Sequence, residues 1–414
     1  MPSIRKSLLQ LLFSGAYMKR WNDKLRAMEL YEIDKQSHKM MVAWMLFELN
    51  SRKMSPEEKL ALGNRIVEGG IFEYLYRLII TDIKPPVFYQ IKAIPEHYER
   101  LTAWVLEQLM PIIQILGDDF CDRMRSFLSI PDHSDLAGRI LFASHIYASQ
   151  YEFSLIKDLN PSDEELEDIE QSFTSTLLEY DDIEGVPELL EYGSTLNRFA
   201  ALCGRLRFQT RWSQTPRVPD TSVLGHMFIV ASYAYFFGLE HGACRARLQN
   251  NFFSGIFHDL PEVLTRDIIS PVKRSVSGIA GLIREYEEDA LNRRVFSMLE
   301  KGRHGQLSDR LKFLLGIEGD EEEFATVIRK DGKLVEVTFE QMQEEYNSDE
   351  YDPKDGRMLK ICDNLAAFIE AYTAVRNGIS SDQLQQSLWR IRSAYLKEPY
   401  QHGVHIGALM ADFD

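Results

Sequence analysis

Apolar residues recur at three- and four-residue spacing through long parts of the chain, the signature of amphipathic helices. The clearest stretches are residues 25–49, 98–116, 139–156, 196–208 and 358–375. Residues 227–239 are apolar almost throughout. At thirteen residues this run is too short to span a bilayer and reads as a buried helix. The exception is 324–339. There Ala325-Thr-Val-Ile-Arg and Leu334-Val-Glu-Val-Thr flank Asp331-Gly332, which predicts a β-hairpin. The pattern predicts an all-α protein with one small hairpin.

Composition narrows the class. The chain has 414 residues, 45% hydrophobic, enough for a sizeable core and two to three domains of ordinary size. With 47 Lys plus Arg against 63 Asp plus Glu, the net charge is −16, which disfavours extended nucleic-acid binding. Much of that charge sits in 160–191, which holds twelve Asp or Glu, and in 318–352, which contains the hairpin. The first of these reads as an acidic linker or linking helix and the second as an insertion. The four cysteines, Cys121, Cys203, Cys244 and Cys362, are far apart and form no Cys-x-x-Cys pair. That fits a reducing compartment. Arg5-Lys6 followed by an apolar run imitates a signal peptide, but Gln10 interrupts the run and Lys19-Arg20 follows closely. The expectation is a cytoplasmic protein with no membrane partner.

The chemistry concentrates in 211–273 and one later helix. Arg211-Trp212 is followed by Gly225-His226, and then by His258-Asp259-Leu-Pro-Glu262-Val-Leu-Thr265-Arg-Asp267-Ile-Ile-Ser-Pro271-Val-Lys273. Asp363 lies in the largely apolar Leu359-Lys-Ile-Cys-Asp-Asn-Leu. A carboxylate on such a helix is costly to bury unless a cation or donor compensates it. Neighbouring residues on a helix point about 100° apart, so His258 and Asp259 can share one ion only at a helix edge. Two imidazoles and two carboxylates suit a divalent metal such as Mn, Fe, Co, Ni or Zn. Such a metal lowers the pKa of water and supplies a nucleophile near neutral pH. A His-Asp dipeptide alone is a weak signal. The combination is specific.

That combination resembles the HD superfamily of metal-dependent phosphohydrolases, and within it the YfbR-like 5'-deoxynucleotidase branch, over roughly residues 192–379. The resemblance implies one metal per chain, held by His226, His258, Asp259 and Asp363. It implies a phosphate grip by Arg211 and general acid/base work by Glu262. Trp212 and Asp267 would shape the sugar pocket, and Lys273 would add a substrate contact. One departure is Gly225, where members commonly carry an acidic residue.

The first half carries a weaker copy of the same pattern. Arg20-Trp21 matches Arg211-Trp212 at an offset of 191, and His38 aligns with His226 at 188. Phe72-Glu73 falls at the place of His258-Asp259, and Asp82-Ile-Lys-Pro-Pro86 matches Asp267 to Pro271. Arg139 to His145 matches Arg357 to Asp363 at 218. The growth in offset is about the size of the acidic insertion. The organisation expected is two tandem HD-type helical lobes: a degenerate domain at 1–159, a linker at 160–191, and a catalytic domain at 192–414. His38, Glu73 and His145 leave room for a poor metal site in the first lobe, although a pseudo-enzyme half used for packing is favoured. The two lobes would form an intramolecular pseudo-dimer.

The function expected is hydrolysis of the phosphomonoester of a 5'-(deoxy)nucleotide, with a small-molecule nucleotide as partner. Two alternatives stay open. One is an HD phosphohydrolase acting on a dNTP, cyclic dinucleotide or alarmone, and the other is a non-catalytic nucleotide or metal sensor. No phosphate-cradling Gly-x-x-x-x-Gly-Lys loop and no Gly-x-Ser-x-Gly elbow is present.

Overall fold

The computed structural model describes residues 4–161, 164–266, 278–318 and 324–414. The protein is all-α, with two small sheets among the described residues. Two helices form its centre. Glu32–Asn50 and Val223–Glu240 pack against each other and are buried on nearly all sides, as helices without a solvent face must be. Val223–Glu240 is long and apolar enough to cross a membrane by length and composition, yet 89% of it is buried inside the protein. The N-terminal helix Lys6–Phe13 also belongs to the core. Leu8, Leu9, Leu12 and Phe13 are buried, and Tyr233 donates its hydroxyl to the Leu9 carbonyl at 2.9 Å.

Five of the six expected helices fall close to their predicted places. The exception is 25–49, whose helix begins only at Glu32 because Leu30–Tyr31 forms a short strand against Lys19–Arg20. The hairpin pairs Thr326–Lys330 with Lys333–Glu336. Asp331 and Gly332 both have positive φ, 51° and 77°, as a two-residue turn matched to the strand twist requires. A third strand, Lys354–Asp355, pairs with it, and the Asp355 side chain caps the helix Gly356–Arg376.

Residues 160–191 are not a free linker. The helix Glu164–Leu178 turns Leu166 and Phe173 onto Leu30 and Phe153, and Leu177, Ile183, Val186 and Leu189 enter the main core. That core is one continuous cluster drawn from both halves. Trp44 meets Phe257 with ring centroids 4.8 Å apart, and Tyr74 meets Phe228 at 4.8 Å.

The two halves share local geometry. Lys19 pairs with Tyr31 as Thr210 pairs with Ser222, both at an offset of 191. Trp21 and Trp212 each have φ 56°, and Thr81 and Arg266 have φ 58° and 69°. Non-glycine residues rarely adopt this left-handed backbone. Twice the local structure imposes it at matching positions.

Candidate metal centre

His226 lies one turn into Val223–Glu240, whose N-terminus is capped by Ser222 Oγ accepting from the Gly225 amide at 2.9 Å. The helix Arg245–Phe257 ends immediately before His258. His258 and Asp259 therefore occupy a helix end, the edge geometry that lets neighbouring side chains converge. Ligand atoms of His226, His258 and Asp259 all lie within 4.8 Å of one another. Asp363, on Gly356–Arg376, brings Oδ1 to 3.1 Å from His226 Nε2.

The donor set fits a divalent cation. His258 Nδ1 donates to the Gly255 carbonyl at 2.8 Å, which leaves Nε2 as the lone-pair atom. That Nε2 is buried, makes no hydrogen bond among the described residues, and faces Asp259 Oδ2 at 3.3 Å. The Nδ1 of His226 lies 3.3 Å from Glu370 Oε1. A carboxylate behind a ligand imidazole fixes its tautomer and raises its basicity.

Arg211 bridges the centre to its support. Its Nη1 stands 3.4 Å from Asp259 Oδ2 and its Nε 3.4 Å from Glu370 Oε2. Burial works against this charge, but Glu370 and Asp259 outweigh it and hold the pKa above the usual arginine value. Burial would likewise raise Asp259, yet His258, His226 and Arg211 keep it well below the carboxylate range. Trp212 donates its indole N–H to Glu370 Oε2 at 2.8 Å. Glu262 opens the short helix Glu262–Thr265 one turn beyond Asp259 and is 7% exposed. It is close enough to Arg211 to reinforce that charge.

The structure thus brings together Arg211, Trp212, His226, His258, Asp259, Glu262 and Asp363. Asp267 and Lys273 lie outside the described residues. Two neighbours escaped the sequence reading. Glu370 is fully buried and contacts His226, Arg211, Trp212 and Thr221, and its signal was a carboxylate two turns after Asp363 on one face of an apolar helix. Lys360, one turn before Asp363, reaches Asp363 Oδ2 at 2.8 Å and sits over the Phe324 ring at the root of the insertion.

In the first half, the matching of His38 with His226 does not follow the pairings: Lys19–Tyr31 and Thr210–Ser222 are offset by 191, and at that offset Lys35, not His38, falls at His226. Lys35 Nζ bonds His145 Nδ1, just as His226 meets Asp363. His38 instead bonds the Ala200 carbonyl at 2.8 Å and Arg207 at 3.3 Å, and Glu73 pairs with Lys39. The three residues considered as a poor metal site are therefore engaged separately. Glu152 makes contacts like those of Glu370: it accepts from the Trp21 indole at 3.1 Å and from Arg20 at 2.7 Å.

Fold and site together define a helical domain with an interior candidate site for a divalent metal. Residues 203–392 match the family model described as HD domain. HD domains are in general metal-dependent hydrolases and bind divalent metals. No curated protein and no solved structure matches the chain.

Proposed function

We propose that this chain is a metal-dependent phosphohydrolase acting on the phosphomonoester of a 5'-(deoxy)nucleotide, with its chemistry in the second half. The observation that carries this reading is the convergence of His226, His258 and Asp259, with Asp363 beside them and Arg211 tied to Asp259. A divalent ion held there supplies Lewis acidity, lowering the pKa of water and offsetting phosphoryl charge. Arg211 presents a charged, planar fork to the phosphoryl oxygens, and Glu370 fixes its orientation. Glu262 moves the proton to or from the reacting oxygen. Trp212 and Asp267 shape the sugar pocket, and Lys273 adds a second phosphate contact. The acceleration then comes mainly from positioning and fixed charges.

The first half is, on this reading, a degenerate copy of the same domain, and the chain is its own pseudo-dimer. Support comes from the matching strand register, the shared left-handed tryptophans, and the repeated Trp–Glu contact. In the copy, the Lys35 side chain stands where a metal ligand would and is bonded to His145, which on this reading leaves no place for an ion.

The substrate class is tested by phosphate release from dNMP, NMP, dNTP and cyclic dinucleotide substrates with Mn, Co, Fe, Ni or Zn. Preferential turnover of monophosphates is expected. Turnover confined to triphosphates or cyclic dinucleotides would transfer the reading to another HD activity, and metal binding without any turnover would make the protein a sensor.

A further inference from the structure

The register that pairs Lys35 with His226 also pairs the residues before them, Asp34 and Gly225. These two positions meet where the halves pack. Asp34 is 2% exposed, and a Cβ on Gly225 would stand 2.6 Å from Asp34 Oδ1 and 2.9 Å from Ile33 Cγ2. Glycine at 225 makes room for a carboxylate delivered from the other half.

Among the described residues the carboxylate is hydrogen-bonded by Ser222. Ser222 Oγ donates to Asp34 Oδ1 at 2.7 Å and accepts from the Gly225 amide at 2.9 Å. A hydroxyl has one proton, so bonding it to Asp34 aims the oxygen lone pair at the helix N-terminus. The helix it caps carries His226 one residue further on. The arrangement is one-sided. The partner helix Glu32–Asn50 has Tyr31 at its N-cap and no side-chain cap. A second link between the halves lies close by, where Arg207 pairs with Glu152 at 3.0 Å, both side chains fully buried.

We infer that Asp34, contributed by the half without the metal ligands, is a positioning residue for the metal centre of the other half. It acts through Ser222, seating the first turn of the His226 helix and with it the His226 imidazole. This rests on the metal-centre reading above and explains what the first half supplies to the second.

The test uses the full chain and Co2+ as both ligand and spectroscopic probe. Asp34→Ala should weaken Co2+ binding about tenfold, within the range for outer-shell partners of metal ligands. It should also alter the cobalt d–d absorption while leaving the far-ultraviolet circular dichroism unchanged. Asp34→Asn keeps an acceptor for Ser222 and should recover most of the affinity. The exchange Asp34→Gly with Gly225→Asp should recover part of it. If Asp34→Ala fails to fold, Ser222→Ala carries the same test by removing the relay. Wild-type cobalt affinity and spectrum in whichever of these two variants folds would overturn the inference. If the unaltered protein binds no Co2+, the metal-centre reading itself fails. If it binds Co2+ and only the Asp34 and Ser222 variants prove silent, this inference fails alone.

Discussion

Trp21 and Trp212 stand 191 residues apart with the same backbone φ of 56°, and each donates its indole N–H to a buried glutamate, Glu152 or Glu370. Around one of these pairs the neighbouring residues converge on a candidate metal centre. In the first half, Lys35 and His145 bond each other.

Metal content follows from that difference. Burial pulls Lys35 down to about 7 despite Glu32, and burial and Lys35 together push His145 well below its usual range. His145 is then a neutral acceptor for the Lys35 amine. Elemental analysis after dialysis should find one metal per chain. Lys35→Ala should leave that ratio at one, and Asp259→Ala should bring it to zero. Two metals per chain would contradict the assignment of the first half.

Glu370 should matter to metal affinity although it is not one of the candidate ligands. Glu370→Gln keeps the shape but weakens the grip on His226 Nδ1 and Arg211, and should cost about 10–100-fold in metal affinity. Glu370→Ala takes a buried carboxylate from the Arg211 guanidinium and should destabilise the fold by about 3–5 kcal/mol. Calorimetric metal titration and urea unfolding separate the two effects.

Asp34 gives a pH signature. Burial pushes its pKa up to about 6, against the pull of Arg207 and with Glu152 adding to the rise, while Ser222 is its hydrogen-bond donor. The folded pKa lies above the unfolded value, so folding favours the protonated form. Stability is therefore lost as pH rises from about 4 to 6 and is level above that. Asp34→Asn escapes this loss. It should be more stable than the unaltered protein at pH 7.5, by a margin that exceeds its margin at pH 5 by about 1 kcal/mol. Urea midpoints at the two pH values measure it, and equal margins would show that the carboxylate does not carry this shift.

The sequence made some of this legible and hid the rest for physical reasons. The candidate ligands and the Arg-Trp pair stood out because such residues are expensive on apolar helices and their spacing is specific. The hairpin was announced by Asp331-Gly332, a dipeptide that tolerates two positive φ values. Lys35 was missed because matching His38 to His226 follows identical letters, whereas the pairings Lys19–Tyr31 and Thr210–Ser222 share an offset of 191 that brings Lys35 to His226. Glu370 looked like one more helix charge, since its partners are distant in sequence. The acidic run 160–191 masked the apolar face that carries Leu166, Phe173 and Leu177 into the core.

The most direct measurement is phosphate release from a 5'-deoxynucleoside monophosphate by chelator-treated protein, before and after adding Mn2+ or Co2+, beside Asp259→Ala. Activity should appear only with metal and only in the unaltered protein, with the variant at least about a thousandfold slower. Release that persists without metal, or that survives Asp259→Ala, would contradict a metal-dependent hydrolase built on His226, His258, Asp259 and Asp363.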